Sequence, residues 1–288
     1  MRELAREVFL VFRRGRGFPL SLLLLAGAAA LFWIALQATG TFTVNGEPVD
    51  LDESARVALA IGLGVRAVSF LILLFLLFHG AGLVLGDAET GRAAFSLSAP
   101  ISRARYLAGR SAGVLLVVLL FWAAALVLFE ILLFSRTGSL RAEIAAGAAV
   151  IVLAQALLLG VLVLFRLFLG GGWGAMGALL VWIASAVLSL DLLESSLFAV
   201  DVPENVAPWW LPILQPFLGG EPIGWKADLV RAFVRLFPPI GNATSVGIDL
   251  ALGRPVFPSF DWWSLPGAAV WGGLVWWGSI RLFRRRDW

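Results

Sequence analysis

The chain has 288 residues, 60% hydrophobic and only 14% charged, with a net charge of +3 and a mean hydropathy of +0.92. Soluble domains carry about a quarter charged residues, so this composition belongs to a membrane-embedded chain. With no cysteine and one histidine, His79, the sequence has no disulfide framework, no thiolate metal site and no multi-histidine centre.

Residues 1–18 read as an amphipathic elbow helix. Leu4, Ala5, Val8, Phe9 and Phe12 share one side of a helical wheel, and Arg2, Glu3, Arg6, Glu7, Arg13 and Arg14 the other, with Leu10 the exception. Such a helix before a span lies in the cytosolic headgroup layer, as a topology anchor or as an anchor that also touches a cytosolic partner. A cleaved signal peptide is the weaker alternative: the charged leader is long, and ALQATG is a poor small-x-small cleavage site.

A crossing needs about 20 mostly apolar residues. Six stretches qualify: 19–38, 59–78, 107–134, 144–169, 173–190 and 263–283. The glycines at 170–172 set up a tight turn between the fourth and fifth. His79 ends the second span as an interface or capping residue. Segment 205–220 is also apolar, but Pro208, Pro212 and Pro216 break it, so an interfacial or re-entrant path fits better than a seventh span.

Orientation follows from the arginines. Fourteen lie on the side of the N-terminus: Arg2, Arg6, Arg13, Arg14, Arg16, Arg92, Arg103, Arg105, Arg110, Arg166, Arg281, Arg284, Arg285 and Arg286. Seven basic residues lie on the other: Arg56, Arg136, Arg141, Lys226, Arg231, Arg235 and Arg254. Both termini are therefore expected in the cytoplasm, in a multi-pass protein of the plasma (inner) membrane.

Segment 191–262 is the extracytoplasmic part. Within 225–237, Trp225, Leu229 and Phe233 lie on one helical face with Leu236 and Phe237, opposite Asp228, Arg231 and Arg235. Pro238-Pro239 stops that helix, and a second short one begins with Asn242 as N-cap. The segment is either a cap packed on the span ends or an external lid. Inside the spans charge is sparse. Arg66 and Glu130 stand at comparable depth, as a structural pair or as a substrate contact. A proton-coupled carrier would place acids nearer the midplane, where the spans offer only Gln155, which argues against a secondary transporter.

Metalloprotease and nucleotide-binding patterns are missing: the chain has no H-E-x-x-H and no G-x-x-x-x-G-K-[ST], so it reads as no enzyme. Between the second and third spans stands DAETGRAAFSLSAPISRARYLAGR. This stretch resembles the cytosolic loop of ABC-type exporter permeases: Glu, then Gly-Thr or similar, a short apolar helix ending Leu-x-x-Pro-[Ile/Val]-x-Arg, then an apolar and a basic residue. The matches are Glu89, Gly91, Leu97, Pro100, Ile101, Arg103, Leu107 and Arg110; Arg92 departs where Thr is common. The close match covers about thirty residues, and the outer segment is longer than the family's re-entrant hairpin.

The resemblance implies an all-α membrane protein of the type-V exporter fold. Residues 1–288 would form a single transmembrane domain of six spans, with loop 85–105 carrying a coupling helix that lies in a cleft of a separate ATPase. Glu89, Gly91, Arg92, Phe95, Leu97, Pro100, Arg103 and Arg105 would make that contact. The implied partners are cytosolic ABC ATPase subunits, a second permease subunit (identical or not) and membrane lipids, with no nucleic acid. The chain itself would need no cofactor, ATP and Mg being held by the ATPase. The alternative is a non-ABC channel or assembly factor with a soluble partner.

Overall fold

The computed structural model describes residues 2–15, 17–37, 41–44, 47–50, 52–90, 102–187, 238–253 and 264–285. In chain order these form α1 (Arg2–Arg14), α2 (Gly17–Gln37), β1 (Thr41–Val44), β2 (Glu47–Asp50), α3 (Glu53–Phe75), a π-helical turn (Leu76–Gly80) and α4 (Ala81–Glu89). Then come α5 (Arg103–Thr137), α6 (Ala142–Leu169), α7 (Gly171–Val187), α8 (Ile240–Ala251) and α9 (Ser264–Arg285). Among the described residues three helices are long and apolar enough to cross a bilayer: Glu53–Glu89, Arg103–Thr137 and Ala142–Leu169. The chain is a multi-span helical membrane protein.

The second apolar run does not stop at Phe78. It continues through the π-helical turn and α4 as one helix of 37 residues. At about 1.5 Å per residue it is about 55 Å long, well beyond the ~30 Å hydrocarbon core. Its His79 is exposed and stacks on Phe75, with ring centroids 6.0 Å apart, so it sits inside a helix and does not cap one.

α6 is the centre of the bundle, packed by α3, α5, α7, α8 and α9. Its closest neighbour is α8. A Cβ added at Gly147 would collide with the Gly247 carbonyl oxygen, and one at Gly247 would stand 2.5 Å from Ile151 Cγ1. The two backbones therefore touch, a contact only glycine permits. α8 starts at Pro239 and not at Asn242: Ser185 of α7 donates to the Pro238 carbonyl at 2.7 Å and accepts the Gly241 N–H at 2.8 Å. Ser185 is buried, so a side chain from another helix holds the start of α8.

α1 buries its predicted face. Leu4, Val8 and Phe12 are buried, and the helix lies against α5 at Gly113, where a Cβ would stand 2.7 Å from Val8 Cβ. Phe12 meets Phe75 and Phe121 edge-on at 5.2 and 6.0 Å. The apolar face expected in the headgroup layer is thus spent on the protein's own third apolar run. An antiparallel hairpin, Thr41–Val44 with Glu47–Asp50, adds the one sheet among the described residues.

Candidate functional site

One end of the bundle gathers the end of α4, the start of α5, the ends of α6 and α9, and α1. Its charges are paired across helices. Arg110, two turns into α5, is buried with 4% of its side chain exposed; its Nη2 lies 2.8 Å from Asp87 Oδ2 on α4 and its Nη1 3.7 Å from Glu7 Oε2 on α1. Its Nε is buried without a partner, and the guanidinium stands 5.9 Å from the centre of the Tyr106 ring. Tyr106 in turn stacks on Phe283 of α9, the rings 3° from parallel at 6.0 Å.

Two further links complete this end. Arg166, in the last turn of α6, grips Glu89 through Nε to Oε1 at 2.7 Å and Nη2 to Oε2 at 2.6 Å. Arg103 donates from Nη1 to the Arg284 carbonyl on α9 at 2.8 Å. Ser102 caps α5 by accepting the Arg105 N–H at 3.2 Å, and the Arg105 guanidinium is exposed. Both flanks of segment 91–101 are therefore tied to the body: Asp87 and Glu89 before it, Arg103 and Arg110 after it. Chemically this is a cross-brace, able to hold two helix ends in fixed relation and to pass force between them.

Of the contact residues suggested by the loop motif, Glu89, Arg103 and Arg105 are placed here. Gly91, Arg92, Phe95, Leu97 and Pro100 lie outside the described residues, as do Trp225, Leu229 and Phe233 of the external lid. Of the expected loop 85–105, residues 85–89 belong to α4 and 103–105 to α5, and 91–101 lie outside the described residues. In the sequence Glu7 counts only toward the polar face of α1 and Arg166 only toward the orientation, and Asp87 carries no role; the available signal for their pairing was opposite charge at the ends of otherwise apolar runs.

Arg66 and Glu130 are not brought together by any ion pair among the described residues. Glu130 Oε2 accepts the Arg141 backbone N–H at 3.1 Å, holding the turn between α5 and α6. Arg66 folds back along α3, where a Cβ at Gly62 would stand 3.0 Å from its Nη1. In the middle of the bundle Trp122 Nε1 donates to Gln155 Oε1 at 2.9 Å, both residues buried. Compared with protein families and with curated proteins, the chain matches none.

Proposed function

We propose that this chain is the transmembrane permease subunit of an ABC exporter. It spans the plasma membrane six times with both termini in the cytoplasm, pairs with a second permease subunit, and is driven by separate cytosolic ATPase subunits. The observation that carries the reading is the cross-brace of Asp87, Glu89, Arg103 and Arg110 at the two flanks of segment 91–101. That segment holds the motif resembling a coupling helix. A loop that takes up motion from a motor must hand it on, and these links lead to α1, α6 and α9. Braces of this kind stiffen a helix pair because each charged partner is costly to leave unpaired where water is scarce.

ATP hydrolysis belongs to the partner in this account, and the chain acts by changing shape. The test is recovery of a P-loop ATPase with tagged, natively expressed chain in mild detergent. Wild type is expected to retain it. Phe95→Asp is expected to lose it while inserting normally, and Asp201→Arg to keep it. Equal recovery with all three chains, or no ATPase with any, contradicts the proposal.

A further inference from the structure

α3, α6, α7 and α8 wall a cavity of about 270 Å³. Most of its lining is apolar, including Phe70, Leu158 and Trp182, and four polar residues reach it: Arg66, Ser69, Gln155 and Thr244. Arg66 stands seven residues, about 10 Å, inside the apolar run that begins at Leu59. No described carboxylate pairs with it, although an arginine at such a position ordinarily finds a partner or faces a polar cavity.

The hydrogen-bonding capacity left over in this cavity is weighted toward donors. Gln155, 6% exposed, spends its carbonyl oxygen on Trp122 and leaves its amide N–H groups without an acceptor among the described residues. The Ser69 hydroxyl is buried with no partner. Thr244 has already given its hydroxyl proton to the Ile240 carbonyl at 2.8 Å. What remains is a guanidinium, an amide NH₂, a serine hydroxyl and the acceptor side of Thr244: positive charge and more N–H and O–H donors than the two hydroxyl oxygens can match, with no acidic group on the lining. An unspent donor in an apolar wall is costly, and an anion relieves it. Phe70, at 54% exposure, marks where the cavity meets the surface of α3, so an alkyl chain whose head sits inside can leave toward lipid.

We infer that this cavity binds the anionic head of a single-chain amphiphile, a fatty carboxylate or an alkyl phosphate. Arg66 supplies the charge, Gln155 and Ser69 supply hydrogen bonds, and the apolar wall takes the first methylenes. The inference stands apart from the permease reading, because binding here needs this chain alone.

The experiment uses the full chain in phosphatidylcholine nanodiscs with radiolabelled hexadecanoate, hexadecyl phosphate and hexadecanol. Saturable binding of the two anionic probes is expected, with hexadecanol only partitioning into lipid. Arg66→Gln is expected to weaken anion binding about tenfold or more, the worth of a lost charge-assisted hydrogen bond. Ala154→Leu, which fills the cavity and leaves every polar group in place, is expected to weaken it as well. Hexadecanol binding as tightly as hexadecanoate, absence of saturable anion binding, or wild-type affinity in both variants overturns the inference.

Discussion

Arg166 and Glu89 join the last turn of α6 to the end of α4 by two parallel hydrogen bonds of 2.7 and 2.6 Å. The Glu89 carboxylate, a candidate contact for an ATPase, is already occupied within its own chain. Their side chains are 22% and 31% exposed, so water screens the pair only in part. Glu89→Arg should lower stability by about 1–2 kcal/mol, and adding Arg166→Glu should restore much of it. Denaturant unfolding in detergent reads both; strictly additive losses contradict the pairing.

Arg110 is more deeply buried, and its loss should cost more. Arg110→Met leaves Asp87 facing a site without a cation, a loss on the order of 3 kcal/mol. Arg110→Met with Asp87→Leu removes both charges and should recover most of the stability. Glu7, exposed and at 3.7 Å, contributes little, so Glu7→Gln should lie close to wild type. An Arg110→Met chain as stable as wild type would end this account of the brace.

The glycine contact between α6 and α8 gives a sharp steric prediction. A methyl at Gly147 meets the Gly247 carbonyl, a backbone atom that cannot rotate away. Gly147→Ala should therefore cost about 1–3 kcal/mol, the usual penalty of overpacking. Gly272→Ala on α9, where a Cβ would meet nothing within 4 Å, is the control and should be neutral. Thermal unfolding of the two variants side by side decides it; equal stability contradicts the close approach.

Asp52 makes the start of α3 sensitive to acid. Its Oδ1 accepts the Ala55 N–H at 2.7 Å and the Ser54 hydroxyl at 3.0 Å, and these bonds, the backbone one foremost, hold the carboxyl below its usual range. A group with a lowered folded-state pKa stabilises above its unfolded value and stops doing so as pH falls through the folded one. Amide exchange in the first turn of α3, corrected for intrinsic rates, should therefore speed up in that acid window. Asp52→Asn, whose amide oxygen still caps, should lose the pH dependence. Protection that is flat with pH in the wild type contradicts this.

The sequence made the apolar runs and the buried face of α1 legible because both are periodic patterns. Leu4, Val8 and Phe12 face inward as the wheel requires. What covers that face was not legible, since Gly113 on a distant helix decides it. The continuation to Glu89 was hidden by His79 and the nearby glycines, which look like a helix end. Asp87 and Glu89 stay helical because Arg110 and Arg166, far away in sequence, neutralise them. Asn242 resembles a helix start, but the group that holds the start of α8 is Ser185, on another helix. The local signal for the hairpin is Asn45-Gly46, the dipeptide that most favours a tight turn, which stands between its strands in the sequence.

Site-specific crosslinking tests most directly whether segment 91–101 meets a cytosolic motor, as proposed. A photoreactive amino acid placed at Phe95 in cells should give an adduct whose partner peptides belong to a P-loop ATPase, and the same residue at Asp201 should give none. No ATPase adduct from position 95, or an equal one from position 201, would contradict the account.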